Sequence, residues 1–160
     1  MSHPLFSLVG RTALVTGSSR GLGYAIAEAL AQAGARVVLN GVDAQRLARS
    51  AETLRAEGHG VEVAAFDVTD EAAVSDAFAR LDAAGLAIDI LVNNAGIQLR
   101  KPLVELSLPE WDRVLRTNLT SAFLVGREAA RRMIERKSGG KIINIGSLTS
   151  EAARATVAPY

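Results

Sequence analysis

Short apolar runs alternate with longer amphipathic segments along this chain. The runs are rich in Val, Ile, Leu and Ala and cover residues 12–16, 36–40, 61–66, 88–92 and 141–145. Runs of this length and composition are typical of strands that are buried on both faces of a sheet. The pattern therefore predicts five parallel strands.

The segments between these runs carry apolar residues at the spacing of one helix face. They predict helices over residues 22–33, 43–57, 70–84 and 108–137, the last of them a single long helix. Gly34 and Gly58 stand where helices commonly end, and Ser107 and Pro109 stand where one begins. Strict alternation without a linker or repeat predicts one α/β domain over residues 1–160. We expect a parallel sheet with right-handed connections and helices on both faces.

Composition excludes several classes of protein. The 18 basic and 17 acidic residues nearly balance, so no net charge favours nucleic acid or an anionic membrane. Cys is absent and the two His residues are isolated, so we expect neither disulfides nor a metal site. The start lacks the features of a signal peptide, and no apolar stretch approaches the roughly 18 residues of a membrane span. We expect a cytoplasmic protein.

A glycine-rich turn joins the first predicted strand to the first predicted helix. It has the sequence Thr-Gly-Ser-Ser-Arg-Gly-Leu-Gly over residues 16–23. Gly17 permits a tight turn, Gly21 lets the backbone approach a pyrophosphate, and Gly23 lets the helix pack on the sheet. The helix N-terminus offers unpaired amides to phosphates. This context favours a nucleotide site over a turn that merely needs glycine, although the spacing differs from the common G-x-G-x-x-G.

Three further polar positions follow the turn. Asn-Asn-Ala-Gly at residues 93–96 comes after the fourth predicted strand, Asn118 lies in the long helix, and Ser147 comes after the fifth strand. Ligands collect at the carboxyl ends of parallel strands, so we expect these residues to share a site. A polar turn is the alternative for residues 93–96, and a loop hydroxyl bonded to backbone is the alternative for Ser147.

Taken together, Thr-Gly-x-x-x-Gly-x-Gly, Asn-Asn-Ala-Gly, the helical Asn118 and Ser147-x(12)-Tyr160 resemble the short-chain dehydrogenase/reductase family over the whole chain. The resemblance implies a Rossmann-type fold, which is a doubly wound parallel sheet with strand order 3-2-1-4-5. It also implies an oxidoreductase with a nicotinamide cofactor and a small-molecule substrate. It implies that Tyr160 is the general acid in reduction, that Ser147 hydrogen-bonds the substrate carbonyl and that Asn118 holds a proton-relay water. It also implies a homo-oligomer for a full-length member.

The cofactor is expected at the glycine turn and the neighbouring strand ends. The resemblance makes Asp67 and Val68 an adenine clamp, with a turn carboxylate as the alternative for Asp67. An NAD site needs a carboxylate at the end of the second strand, but Gly41 stands there, and Arg20 can reach a 2′-phosphate. We therefore predict NADP rather than NAD, although Val42 stands where many NADP-preferring relatives have Arg. The candidate cofactor residues are Gly17, Ser19, Arg20, Gly21, Leu22, Gly23, Asn40, Asp67, Val68, Asn94, Ala95 and Gly96.

The loops after the fourth and fifth strands resemble those of family members that interconvert gluconate and 5-keto-gluconate. A sugar acid needs a counter-charge for its carboxylate and partners for its hydroxyls. The candidate substrate residues are Gln98, Arg100, Glu151 and Arg154. Solvated loop charge is an equal alternative for each of them. A 3-oxoacyl-thioester reductase has the same motifs and is the alternative enzyme.

The last residue, Tyr160, raises the question of activity. In the family, a Lys four residues after this tyrosine supports it and holds the nicotinamide ribose, and this chain has no position 164. Members run to roughly 250 residues, so the resemblance implies a C-terminally truncated chain with five of the usual seven strands. We expect it to bind NADP weakly or not at all and to have no useful reductase activity. A non-catalytic nucleotide-binding module is the alternative function.

Overall fold

The sheet forms the centre of the molecule. The computed structural model of the protein describes residues 4–152 and 154–160. Five parallel strands lie in the order β3-β2-β1-β4-β5. They are β1 (Thr12–Val15), β2 (Arg36–Gly41), β3 (Val61–Ala65), β4 (Ile90–Asn93) and β5 (Lys141–Asn144). This confirms the predicted α/β fold and its strand order.

Helices connect the strands and begin at capping side chains. They are α1 (Gly21–Gln32), α2 (Ala44–Ala56), α3 (Glu71–Ala83), α4 (Leu108–Leu115) and α5 (Ser121–Glu135). Asp43, Asp70 and Ser107 each accept a hydrogen bond from the backbone N–H three residues ahead. The Glu110 side chain in turn accepts a hydrogen bond from the Ser107 backbone N–H, and the two bonds form a capping box. None of the helices in the described ranges is long and apolar enough to cross a lipid bilayer.

The prediction of one uniform helix over residues 108–137 was wrong in one respect. A π-helical turn, Arg116–Thr120, separates α4 from α5, and α5 ends at Glu135. Such a turn adds a residue to the helix and is frequent at functional sites. Here it carries Asn118, so the departure from α geometry falls at a candidate site residue.

Alternate strand residues pack on opposite faces of the sheet. On one face, Val15 and Leu39 belong to a core with side chains of α1 and α2. On the other face, Leu14 and Val38 belong to a core with side chains of α3 and α5. All four of these strand residues are fully buried. The central strands therefore give a fixed base to the loops at their carboxyl ends.

Candidate functional site

The turn between β1 and α1 packs closely on the loop after β4. Gly17 has a φ of +63°, and a Cβ there would lie 2.9 Å from the Cα of Ala95. A Cβ on Gly23 would lie 2.5 Å from the carbonyl oxygen of Gly17. A side chain at either position would push the turn away from the sheet edge. A Cβ on Gly21 would meet nothing within 4 Å, so the turn faces open space at that point.

Asn94 joins this turn to the end of β4. Its Nδ2 donates to the carbonyl oxygens of Thr16 at 2.9 Å and Gly17 at 3.3 Å. The backbone N–H groups of Asn94 and Ala95 both donate to Oγ1 of Thr16 at 3.0 Å. The Asn94 side chain is thus used on the protein itself, and its contribution to a ligand site is to hold the glycine turn in place.

A second buried network fixes the same turn from the side of β2. Asn40 accepts from the Gly17 N–H at 3.3 Å and donates to the carbonyl oxygens of Ala64 and Phe66 at 3.1 Å. Ser18 donates to the Val15 carbonyl at 2.7 Å and accepts from the Asn40 N–H at 2.9 Å. Ser18 was missed as a site residue, because nothing in the sequence distinguishes it from its neighbour Ser19.

A cleft of about 520 Å³ lies along the carboxyl ends of the strands beside the turn. Gly41 and Val42 line it where β2 ends, so no carboxylate stands at that point. The cleft is also lined by three arginines, which are Arg20, Arg46 and Arg113. The predicted cofactor residues that line it are Gly17, Ser19, Arg20, Asn40, Asp67, Val68, Asn94, Ala95 and Gly96. We call this the nucleotide cleft.

Asp67 and Val68 differ in how they meet the nucleotide cleft. Oδ1 of Asp67 accepts from the backbone N–H and the hydroxyl of Thr69, both at 2.8 Å. This is the turn geometry considered as the alternative, and it leaves Oδ2 without a hydrogen bond to the described residues. Val68 is largely buried in the core, so it offers the cleft an apolar wall. The predicted adenine clamp stays a prediction.

A second cleft of about 440 Å³ adjoins the first, and Asn94, Ala95 and Gly96 line both. It brings together the three predicted catalytic residues, which are Asn118, Ser147 and Tyr160. Leu22, predicted to bind cofactor, lines this cleft rather than the nucleotide cleft, and Gly21 and Gly23 line neither. We call it the catalytic cleft.

Ser147 has a fixed environment in the catalytic cleft. Its Oγ accepts from the Thr149 backbone N–H at 3.3 Å and is 2.9 Å from the Thr149 hydroxyl. With the Thr149 hydroxyl donating to it, the Ser147 hydroxyl keeps its own hydrogen for an external acceptor. Thr149 also lines the cleft. Thr149 was not predicted as a site residue, since its contact with Ser147 depends on the short 3₁₀ turn Leu148–Ser150.

Asn118 is held by the loop after β4. Its Oδ1 accepts from the Ile97 N–H at 2.8 Å, and its Nδ2 donates to the Ile97 carbonyl at 2.9 Å. These paired bonds tie the loop to the π-turn between α4 and α5. The predicted role in a proton relay stays a prediction, and the observed role of the side chain is to shape the cleft wall.

Tyr160 lies in the catalytic cleft within a segment of turns. Its N–H donates to the Val157 carbonyl at 3.0 Å, and Val157 is buried. The N–H of Lys101 donates to the Thr156 carbonyl at 2.8 Å and joins this segment to the loop after β4. Tyr160 itself is 42% exposed.

The four predicted substrate residues do not converge. Gln98 lines the catalytic cleft, and Arg100 is tied to it by a 3.0 Å bond from Nε to Oε1. Glu151 and Arg154 are exposed and line neither cleft. Within the described ranges, no group of His, Asp and Glu side chains could hold a metal ion.

Comparison with known proteins agrees with this geometry. Residues 11–160 match the family described as short chain dehydrogenase. A gluconate 5-dehydrogenase from Gluconobacter oxydans is 52% identical over 100% of this chain and 62% of its own length. A 3-oxoacyl-[acyl-carrier-protein] reductase from Aquifex aeolicus is 41% identical over 88% of this chain and 57% of its own length.

A solved structure adds the fold and a bound cofactor. The gluconate 5-dehydrogenase of Burkholderia cenocepacia, in complex with NADP and tartrate, superposes with a TM-score of 0.92 at 48% identity. The superposition covers 97% of this chain and 60% of the other. This chain therefore spans about three fifths of the length of such relatives. On its motifs, fold and relatives, the chain belongs to the short-chain dehydrogenase family.

Proposed function

We propose that this chain forms the nucleotide-binding part and a wall of the catalytic cleft of an NADP-dependent oxidoreductase. The enzyme transfers hydride between NADP(H) and a keto or hydroxy sugar acid of the 5-keto-gluconate/gluconate type. The observation that carries the proposal is the arrangement of two adjoining clefts. Ser147 and Tyr160 share one cleft, and Ala95 and Gly96 form its common wall with a cationic nucleotide cleft.

The nucleotide cleft fits NADP in charge. Arg20 and Arg46 line it, and Gly41 leaves β2 without the carboxylate that an NAD ribose needs. Guanidinium groups bind phosphate through paired, charge-assisted hydrogen bonds. The bound NADP of the Burkholderia relative supports the same choice here. When bound, the reduced cofactor supplies the hydride.

The side chains of the catalytic cleft suit the reduction of a carbonyl. The Ser147 hydroxyl keeps its hydrogen for an acceptor because Thr149 occupies its oxygen, and so it donates to the substrate carbonyl oxygen. Tyr160 lines the same cleft and donates the proton that converts this oxygen to a hydroxyl. The charge that develops on the carbonyl oxygen is stabilised by both groups.

The polar lining of the catalytic cleft favours a polyhydroxy substrate over an acyl thioester, and Arg100, which is bonded to the lining Gln98, can supply the counter-charge for a carboxylate. Gln98, Asn144, Thr149 and Ser150 line it and can hydrogen-bond several hydroxyls. The tartrate complex of the Burkholderia relative supports a hydroxy acid as ligand. The similarity to the Aquifex acyl reductase keeps the 3-oxoacyl thioester as second candidate.

We also propose that a polypeptide of residues 1–160 turns over little substrate by itself, since it spans about three fifths of the length of its relatives. The test is NADPH oxidation by this chain and by the full-length Gluconobacter relative, with 5-keto-gluconate and with acetoacetyl thioester. We expect turnover of 5-keto-gluconate by the relative and a rate for this chain near background. A rate near that of the relative would contradict the low activity. Preference for the thioester would contradict the sugar-acid substrate, and nucleotide binding without any turnover would favour a non-catalytic module.

Exposed apolar side chains support a homo-oligomer for the full-length enzyme. Leu108, Leu119 and Phe123 lie exposed along α4, the π-turn and α5. Sedimentation of a full-length form carrying Phe123→Ser is expected to show smaller species than the unchanged protein. An unchanged sedimentation coefficient would remove this surface as the interface.

A further inference from the structure

The end of β2 lacks a cation that the nucleotide cleft needs. Val42, at the point where β2 passes into α2, is 75% exposed and apolar. It lines the nucleotide cleft together with Arg20 and Gly41. A phosphate on the ribose 2′-oxygen carries close to two negative charges near neutral pH, and one guanidinium leaves it under-neutralised. A second cation must come from an element other than β2.

Arg46 lies one helical turn beyond Val42 and lines the same cleft. It belongs to the first turn of α2, where Asp43 is the N-cap. Oδ1 of Asp43 accepts from the Arg46 backbone N–H at 3.0 Å, and Oδ2 lies 3.4 Å from Nη2 of the Arg46 side chain. Asp43 therefore holds both the backbone and the guanidinium of Arg46.

The contact with Asp43 leaves Arg46 available to a ligand. The closest approach to the carboxylate is that of Nη2, at 3.4 Å, and the guanidinium has five N–H donors in a planar fork. The Asp43 carboxylate is ionised at neutral pH, since the Arg46 N–H and then the Arg46 charge lower its pKa. Both side chains are 43% exposed, so water screens the pair, and Asp43 offsets the Arg46 charge only in part.

We propose that Arg46 is the second cation of the 2′-phosphate site and that Asp43 positions it. Arg20 and Arg46 bind the phosphate from two sides, so that Arg46 replaces the cation absent at Val42. The inference rests on the proposed function, in which the nucleotide cleft takes an adenine dinucleotide. It names Arg46 as the residue of this chain that selects for the 2′-phosphate.

Two other arginines are less suited to this role. Arg49 is one turn further along α2 and lines a separate cleft of about 250 Å³ with Arg20 and Tyr24. Arg113 lines the nucleotide cleft from α4. Arg116, one turn further along, donates to the Thr69 carbonyl at 2.9 Å, so that end of α4 approaches the cleft over the loop after β3 and not from α2.

The test measures binding of adenosine 2′,5′-bisphosphate and of 5′-AMP, which differ only in the 2′-phosphate. Isothermal titration of the 160-residue chain is compared with Arg46→Gln and with Arg49→Gln, a change of the same charge one turn away. We expect Arg46→Gln to weaken the bisphosphate about tenfold or more and to change 5′-AMP less than about twofold. We expect Arg49→Gln to change neither by more than about threefold. Arg46→Lys is expected to restore part of the loss, since Lys keeps the charge without the fork.

Each other outcome overturns the proposal in a distinguishable way. Equal losses for Arg46→Gln and Arg49→Gln would show a general effect of charge, and a larger loss for Arg49→Gln would move the site to the neighbouring cleft. Equal losses for both ligands would make Arg46 structural. If the unchanged chain binds neither ligand, the proposed nucleotide function fails along with the inference. If it binds 5′-AMP as tightly as the bisphosphate, the inference and the NADP preference fail, and a nucleotide site without that preference remains.

Discussion

The two edge strands of the sheet are built differently, although both are parallel and short. β3 begins with a buried Val61, carries Glu62 next, and ends with two alanines, so that Val63 is its one half-exposed large apolar residue. β5 has no buried residue, and Ile142 and Ile143 are 40% and 44% exposed. Charge and small side chains protect an edge from unwanted pairing. β3 has the composition of an edge strand, whereas β5 has the composition of an interior strand in an edge position.

The difference continues into the two clefts. The nucleotide cleft lies at the carboxyl ends of β1 and β2, whose central residues are fully buried between helices. The catalytic cleft takes Asn144, Ile145 and Ser147 from β5 and the loop after it, where side chains are more exposed. The nucleotide site therefore has a rigid base of its own, and the catalytic site depends on the less protected part of the sheet.

The largest expected effect contrasts an interior strand with β5. Leu39 and Ile143 lie on the same face of the sheet. Leu39 is in register with Val15, Val15 with Val92, and Val92 with Ile143. Leu39→Ala is expected to lower the free energy of unfolding by about 2–5 kcal/mol, since it empties a filled core. Ile143→Ala removes an exposed side chain and should cost less than about 1.5 kcal/mol. Denaturant unfolding measures both, and equal costs would contradict the contrast.

The next prediction concerns Asn94, which lines both clefts and holds the glycine turn. Asn94→Asp replaces the amide that donates to the Thr16 and Gly17 carbonyls with a carboxylate that repels them. We expect a loss of about 2 kcal/mol in the free energy of unfolding and weaker binding of adenosine 2′,5′-bisphosphate. Asn144→Asp is the control on β5. Its oxygen accepts from Asn93 Nδ2 at 2.9 Å, and a carboxylate can accept the same bond. Equal effects of the two changes would mean that Asn94 has no special place in the nucleotide site.

A smaller effect is expected from charging each edge. Ile143→Lys should weaken self-association of the chain about tenfold, because it places a charge on an apolar strand with free backbone groups. Val63→Lys makes the same change on β3 and should alter association little, since Glu62 and the alanines already protect that edge. Sedimentation over a range of concentrations measures both. Equal changes would show that the edges do not differ in this respect.

Much of this organisation follows from local sequence. The alternation of strand-like and helix-like segments predicts a parallel sheet covered by helices, because crossover connections are right-handed and short. The strand order came from the resemblance to the family. The caps at Asp43 and Ser107 and the glycine turn were recognisable because each depends on residues within a few positions. Local signals thus predicted the scaffold and placed Ser147 at the carboxyl edge of the sheet, whereas Tyr160 was identified by its spacing from Ser147 in the family motif.

What could not be predicted depends on contacts between distant residues. Asn118 bonds to Ile97 across the π-turn, and neither the turn nor its partner has a sequence signal. Arg154 and Glu151 come soon after β5, but the path of that loop leads them to the surface. Arg46 lines the nucleotide cleft because the first turn of α2, which follows the N-cap Asp43, lies beside the carboxyl ends of the strands. The positions of side chains on loops and at helix ends depend on the path of the backbone and not on the periodicity of the sequence.

The smallest effect tests how the loop of the catalytic cleft is held. Glu110 accepts from the Ser107 N–H at 2.8 Å and from Lys101 Nζ at 2.9 Å, and Lys101 belongs to the loop after β4. The Ser107 backbone bond, and then the Lys101 bond, lower the pKa of Glu110 from its ordinary 4.5 to about 2. Because the folded-state pKa is depressed, the ionised carboxylate stabilises the fold above pH 4.5, and this contribution is lost as the pH falls from 4.5 through about 2.

The measurement is the free energy of unfolding of the unchanged chain minus that of Glu110→Gln, as a function of pH. We expect a small constant difference near neutral pH that declines between pH 4.5 and about 2. Lys101→Met should retain most of this decline, because the Ser107 N–H is the larger cause of the lowered pKa. A difference that grows as the pH falls would contradict the assigned sign. A decline abolished by Lys101→Met would show that the ion pair, rather than the capping box, holds this loop against α4.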